Sequence, residues 1–509
     1  MIYKKPLDSL LKEAAESGEG TLRRTLSASN LVALGIGAII GAGLFVRTAA
    51  AAADHAGPSV TLSFILAAIG CGLAGLCYAE FASMIPIAGS AYTYSYATMG
   101  EVTAWVIGWD LVLEYAVGAA TVSIAWSEYL NKLLETFGTS IPYQFCHSPF
   151  QTSDAGVQGL INIPALFIVA VLSLVLIRGT KESASVNGII VIAKVAIVLL
   201  FIFIGWSYMN PVNHNPYIPV NVGEQKLANG EIGFLEFFEQ DFGKFGWTGI
   251  ISGAGVVFFA FIGFDAVSTA AQEAKNPKRD MPIGILVSLI VCTVLYVLFS
   301  HVLTGVANYK EFASVGKEAS VAYAIETYMH SYHWLSILVT VAILAGFSSV
   351  ILVMLLGQSR VFYSMSKDGL VPKVFSDVHP VYQTPYKSNL IFLGFVGVFA
   401  AFVPGDVVGD MTSIGTLFAF VLVCIGVMVM RKTDPHTPRP FKTPLMPLVP
   451  ILGALACLLM MIGLGKHNWE RLIVWMALGF VIYFTYSIKH SKIRKGTIVL
   501  PTDPPKPEL

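Results

Sequence analysis

Charge is what this sequence has least of. Only 13% of its 509 residues are Asp, Glu, Lys or Arg, about half the share of an ordinary soluble domain. A water-soluble shell cannot be built from so few, so lipid is the expected solvent for much of the surface. The 32 acidic and 32 basic residues cancel, which leaves no basic excess to draw the chain to nucleic acid. Cysteine is scarce as well: Cys71, Cys77, Cys292, Cys424 and Cys457 fall in apolar runs and Cys146 in a polar loop, so neither a disulfide framework nor a metal spacing is visible. No nucleophile with a base and no phosphate loop is found, which argues against an enzyme and against a bound cofactor. Residues 1–29 lack the apolar core and small-residue cleavage site of a secretory signal, so the first apolar segment is expected to stay as a spanning helix.

What is abundant is apolar runs; 55% of the chain is hydrophobic. A bilayer core about 30 Å thick needs roughly 20 apolar residues at 1.5 Å each. Twelve such segments are predicted, near 30–53, 59–84, 99–130, 160–178, 185–208, 248–274, 283–306, 335–365, 388–404, 410–430, 447–465 and 472–489. Placing the N-terminus inside puts Lys4, Lys5, Arg178, Lys278, Arg279, Lys367, Arg431, Lys432 and most other basic residues in inner loops. By the positive-inside rule, both termini are then expected in the cytoplasm of a multi-pass protein of the cell membrane. The outer loop 209–247 contains FLEFFEQDFGKFGW, read as an interfacial helix or as a cap on the outer mouth.

Two spans carry the signal for a break. The first reads LVALGIGAIIGAGLFV, with Gly35, Gly37, Gly41 and Gly43 within nine residues; the sixth reads GAGVVFFAFIGFDAVSTAAQEAKNP, with Gly263 beside Asp265. Glycine lowers the cost of leaving helical geometry. Matched interruptions in two halves of a transporter point to a midplane site. An unwound helix offers N–H groups to a carboxylate and C=O groups to an ammonium, which suits an amino acid zwitterion. The carboxylate is expected on Gly41, Ala42 and Gly43, and the ammonium on the carbonyls of Ile39, Phe259, Ala260 and Ile262. The plainer reading of Gly37 and Gly41 is close packing of two helices.

Burying Lys, Asp or Glu at a helix centre costs about 2.5–3.5 kcal/mol on insertion scales, so each needs a partner or a task. Asp110 and Glu114 lie one turn apart in the third span, Lys194 is central in IIVIAKVAIVLL and Asp265 follows the sixth-span break. Apolar surroundings disfavour the charged form of Lys194, so its proton can be gained on one side and lost on the other. Charged, it can donate to carbonyls freed near the first break; the alternative is a structural salt bridge to Glu114 or Asp265. Asp265 suits a cap on the second half of its span as well as a substrate contact. Glu80, at the inner end of the second span, is read as an interfacial or gating residue.

These residues carry a resemblance. GIGAIIGAGLF, YAEFASMIPIAGSAYTY, FFAFIGFDAVSTAAQEAKNPKRDMPIGI, KDGLVPKVFSDVHPVYQTP and IGTLFAFVLVCIGVMVMRKTDP with RPFKTPLMPLVP stand in one order over residues 22–490. The chain resembles the amino acid, polyamine and organocation (APC) superfamily, and most closely its bacterial cationic amino acid transporters. The resemblance implies an all-α leucine-transporter-type fold of twelve transmembrane helices. It divides the chain into an N-terminal cytoplasmic segment 1–29, a five-helix repeat 30–208, the loop 209–247, an inverted repeat 248–430, two extra helices in 431–489 and a tail 490–509. It also implies that Lys194 stands in for a sodium ion, so that the proton is the coupling ion, with Glu114 as the acidic partner in the third helix. Ala42 departs from relatives that carry a hydroxyl between the two glycines. Met354 falls where the subfamily lines the side-chain end of the pocket, and its bulk favours small neutral substrates over arginine.

The function expected is therefore secondary active transport of small neutral or cationic L-amino acids by proton-coupled symport. An obligate exchanger and a non-transporting amino acid sensor are the alternatives. A sensor is expected to carry a substantial signalling tail, and the segments before 30 and after 490 are short. The oligomeric state is not legible.

Overall fold

The computed structural model describes residues 3–6, 10, 26–85, 89–153, 155–178, 184–269, 271, 274–315, 320–382 and 384–496. Only parts of the expected segments 1–29 and 490–509 fall within these, and Lys12, Arg23, Arg24 and Lys181 lie outside them. The described residues are helical throughout, with two isolated bridges and no strand. This is the arrangement that lipid demands, because an open sheet edge would leave main-chain groups unpaired in hydrocarbon.

The principal helices are α1 (Ala28–Ile39), α2 (Val60–Met84), the short α3 (Ser90–Thr98), α4 (Glu101–Thr136), α5 (Ile163–Arg178), α6 (Ala184–Trp206), α7 (Gly246–Phe258), the single turn α8 (Ala266–Thr269), α9 (Pro277–Val306), α10 (His333–Lys367), α11 (Tyr386–Phe402), α12 (Gly405–Thr433), α13 (Leu448–Gly463) and α14 (Lys466–Ile482). Among the described residues eight helical stretches are long and apolar enough to cross a membrane, and four more apolar helices, α1, α5, α11 and α13, are shorter. The first is short because it is interrupted: α1 ends at Ile39, Ile40 is extended, and the chain resumes as helix from Gly43. Helices α5, α6 and α14 show broad lipid-type faces, with Phe167, Ile192, Phe203 and Val474 all more than half exposed. The apolar parts of Glu101–Thr136 and Gly246–Thr269 are almost wholly buried, so α4 and the stretch that begins with α7 are central.

Residues 209–245 form short helical turns that carry an exposed aromatic cluster and also pack on the helical core. Phe234, Phe238 and Phe242 form a ring cluster that leaves Phe234 64% exposed, an apolar face suited to the interface. The loop also packs on the helical segment that follows the first break. Phe245 N–H donates to the His55 carbonyl at 2.7 Å, the His55 Nδ1 lies 3.0 Å from the Gly243 carbonyl, and Pro219 fills the space beside Gly57. Asp241 anchors it between Lys226 and Lys244, each at 3.1 Å.

The opposite ends of the helices are tied by ion pairs. Glu80, read as interfacial or gating, is buried at the end of α2 and held by the Arg431 Nε and Nη2 at 2.9 and 2.7 Å, by Arg439 at 3.3 Å and by the Thr443 N–H at 2.8 Å. Lys5 pairs with Asp368 at 3.0 Å, and Glu101 with Arg494 at 2.7 Å. Removing one partner of a buried pair costs about 3–5 kcal/mol because the other is stranded. Glu80→Ala is therefore expected to lower the apparent Tm of the detergent-purified protein by several degrees, whereas Glu80→Gln combined with Arg431→Gln loses less than the sum of the two single changes.

Candidate functional site

The site is where α1 and α7 break. Ile40 is forced out of the helix with ψ near 102°, and the first hydrogen bonds of the new helix run from Leu44 and Phe45 back to the Gly41 carbonyl. The N–H groups of Gly41, Ala42 and Gly43 thus sit at a fresh helix N-terminus, the position that favours an anion. On the other chain segment α7 tightens into a 3₁₀ turn, Phe259–Phe261, Ile262 becomes extended, Gly263 adopts φ +114° and the helix resumes as α8. A side chain at Gly263 would be strained by that φ and would meet the Ala38 carbonyl at 2.9 Å.

The two breaks touch main chain to main chain. A Cβ on Gly43 would lie 2.2 Å from Ala260 Cα, a distance no atom pair tolerates. Tyr296 of α9 bridges the same two strands of irregular backbone, its hydroxyl lying 2.9 Å from the Ile39 carbonyl and 3.0 Å from that of Ala260. Two of the four carbonyls expected for an ammonium are therefore engaged by a phenol. Phe259 accepts from the Ile262 N–H at 3.3 Å. One O–H proton shared between two carbonyls leaves both with acceptor capacity to spare.

Lys194 is buried, and its Nζ donates to the Gly37 carbonyl at 2.8 Å and the Ile40 carbonyl at 3.1 Å. It forms no ion pair with Glu114 or Asp265, so the salt-bridge alternative does not describe this structure. Room for its stem comes from Gly346 on α10, where a Cβ would press on Lys194 Cε at 2.8 Å. A gap of about 10 Å³, roughly one water in size, opens beside it, lined by Ile40, Phe45, Lys194, Ile197, Ile343 and Phe347 among others.

The acidic residues meet on the far side of the breaks. A π-helical segment in α4, Leu113–Val117, turns both Glu114 and Tyr115 toward Asp265. Such bulges collect at functional sites. Tyr115 donates to Asp265 Oδ2, while Glu114 lies against Asp265 and Thr416 with neither oxygen in a formed hydrogen bond. Asp265 immediately precedes α8, whose first N–H, that of Ala266, goes to the Gly263 carbonyl at 3.1 Å. Two fully buried carboxylates this close cannot both be ionised without a counter-charge. Asp110, one turn away, faces α12 at Gly415 and has no formed hydrogen bond on either oxygen. Met354 on α10 packs against Gly118 and lies one turn from Val350, the side chain nearest Gly41. It is therefore beside the first break and between α4, α10 and α12.

Sequence reading missed Tyr296 and Arg47. The signal for Tyr296 was a phenol in the apolar run VCTVLYVLFS, whose hydroxyl must find a partner when buried. Arg47, a few residues past the glycine cluster of the first span, is buried and pairs with Asp410 of α12, which Asn468 also contacts.

A multi-pass helical membrane protein with two broken helices apposed at its centre is the class this geometry defines. The chain belongs to the amino acid permease family of the APC superfamily, whose model matches residues 26–483. It is 43% identical to the branched-chain amino acid permease BcaP of Bacillus subtilis over 97% of this chain and 98% of that one. It is 40% identical to the methylthioribose transporter of the same organism, over 97% and 99%. The vacuolar cationic amino acid transporter 2 of Arabidopsis thaliana is 34% identical over 86% of this chain and 64% of its own. All are named permeases or transporters, not enzymes.

The Gly43 contact makes a sharp comparison possible. Gly43→Ala must push α7 away from the first break and is expected to abolish amino acid uptake in membrane vesicles at unchanged protein level. Gly72→Ala, on α2 with open space around it, is expected to leave uptake as it is.

Proposed function

We propose that this protein imports an amino acid together with a proton. Its twelve helical spans are read as two five-helix inverted repeats, 30–208 and 248–430, plus two extra helices, with both termini cytoplasmic. The substrate carboxylate docks on the N–H groups of Gly41, Ala42 and Gly43. Its ammonium takes the carbonyls of Ile39, Phe259, Ala260 and Ile262 and displaces the Tyr296 hydroxyl, trading a neutral hydrogen bond for charge-assisted ones.

One observation carries the proton coupling: the ammonium of Lys194 ties the carbonyls of Gly37 and Ile40 together across the first break. A hydrogen bond to a charged donor is worth about 1.5–3 kcal/mol, more than a neutral one. Losing the proton therefore weakens the clasp that holds the break in this shape. Glu114 and Asp265, which cannot both be ionised, supply a second place where a proton is held. Arg47 with Asp410 on one side, and Glu80 with Arg431 on the other, are suited to fastening the two mouths in turn during alternating access.

For the substrate we favour a neutral side chain. Met354, Val350 and Gly118 make the neighbouring wall apolar. This agrees with the branched-chain name of the Bacillus subtilis relative and stands against the cationic names of the plant ones. The methylthioribose name on a relative at 40% identity makes non-amino-acid substrates part of the panel.

The test is uptake into proteoliposomes with an imposed pH gradient and no sodium, across amino acids and methylthioribose. Gradient-driven uptake of a neutral amino acid is expected in the wild type and lost in Lys194→Ala with the protein still inserted. Uptake only into liposomes preloaded with amino acid would establish exchange instead. Met354→Ser is expected to raise the ratio of arginine to alanine transport; an unchanged ratio removes Met354 from the selectivity argument.

A further inference from the structure

A row of buried hydroxyl groups leads away from the mid-membrane carboxylates toward the end of α2 where Glu80 and Met84 lie. Tyr78 of α2 faces Asp265, Glu114 and Tyr94, with Cys424 as the other titratable neighbour. Its ring is fixed edge-on by Phe264 and Phe420, with centroids at 5.5 and 5.4 Å. Tyr94 of α3 stacks on Phe81 at 5.3 Å and lies beside Ser268 of α8. Ser268 Oγ is 3.1 Å from Ser90 Oγ, at the first residue of α3. Glu114, Asp265, Tyr78, Tyr94, Ser268 and Ser90 are all fully buried.

The Tyr78 and Tyr94 hydroxyls have no formed hydrogen bond, and neither have Asp265 Oδ1 and both Glu114 oxygens. About 90% or more of buried polar groups are satisfied, so five such atoms in one row stand out. A buried hydroxyl without its bond is a standing cost that phenylalanine would not carry. Two buried tyrosines bearing that cost, each with its ring clamped by aromatic neighbours, call for a task rather than a packing role.

We infer that Tyr78, Tyr94, Ser268 and Ser90 form the path by which the coupled proton leaves the Glu114–Asp265 pair; this rests on the symport reading above. Ser268 and Ser90 are already linked; once a bridging water or a shift of α8 closes the remaining gaps, each hydroxyl takes a proton on its oxygen as it passes its own O–H proton to the next. After one passage every hydroxyl is restored with its O–H turned, the carboxylate pair holds one proton fewer, and one proton has been delivered beyond Ser90. Asp110, the remaining acid against Glu114, lies off this row toward α12. The path is gated by the same element that holds substrate. Asp265 ends the break and Ser268 sits on the turn that follows, so a shift of α8 changes both the donor and a later acceptor at once.

Tyr78→Phe and Tyr94→Phe keep the rings and remove only the hydroxyls. In proteoliposomes with radiolabelled alanine or leucine, whichever the wild type takes up faster, net uptake driven by a pH gradient is expected to fall about tenfold or more. Exchange with the same amino acid loaded on both sides needs no net proton release and is expected to stay near wild type, which also shows that the variants are folded. Ser268→Ala, which removes a hydroxyl and no ring, is expected to give the same split. Net uptake at the wild-type rate in all three variants overturns the path, and so does an equal fall of net uptake and exchange. A wild type whose uptake ignores the pH gradient overturns the symport reading instead.

Discussion

Two stretches of non-helical main chain are pressed together at the centre of this molecule, at Gly43 and Ala260, with no space between them for a single side-chain carbon. In hydrocarbon every N–H and C=O released by unwinding needs a partner, and the surrounding residues can be read as answers to that demand. Tyr296 serves Ile39 and Ala260, Lys194 serves Gly37 and Ile40, the resumed first helix serves Gly41, and the 3₁₀ turn serves Phe259 through the Ile262 N–H. What is left over, the N–H groups at the new helix start and the spare lone pairs of the carbonyls, is complementary to the two ends of one amino acid.

The polar groups around the breaks divide by sign. The cation Lys194 approaches from α6 and caps carbonyls, while Glu114 and Asp265 approach from α4 and the start of α8 and sit with Tyr115. Keeping them apart prevents the neutralising salt bridge that would otherwise satisfy all three permanently. Each group is left dependent on main-chain dipoles, hydroxyls or a neighbouring carboxyl rather than on a counter-ion. At the two ends the logic reverses. Arg47 with Asp410, Glu80 with Arg431 and Glu101 with Arg494 are full ion pairs, suited to fastening helices rather than to titrating.

Much of this was legible in the residues. Four glycines within nine positions of an apolar span marked the first break, and Gly263 beside Asp265 marked the second. An isolated Lys194 in an otherwise apolar run announced a partner or a task, with main-chain carbonyls and a carboxylate both open. The outer loop was legible in composition but not in role, since its aromatic sequence suits a membrane interface as well as a lid, and it both exposes Phe234 and clamps His55. Tyr296 was overlooked because a single tyrosine in an apolar span carries no positional pattern; its importance lies in reaching two breaks more than thirty and two hundred residues away. The hydroxyl row was illegible for the same reason, as Tyr78, Tyr94, Ser268 and Ser90 come from three separate elements.

Composition, hydrophobic run length and glycine placement by themselves determined that this is a helical membrane protein with two interrupted spans and buried ionisable groups, because those properties are set locally by the cost of placing each residue in lipid. Which charge meets which partner was decided only by the tertiary structure. Lys194 could have paired with either carboxylate, and the packing of α6 against α1 and α10, with Gly346 making room for its stem, sent it to the main chain instead. Distance across helices, not sequence spacing, settles such choices, since an ion pair and a capped carbonyl ask for the same residue and differ only in where its ammonium arrives.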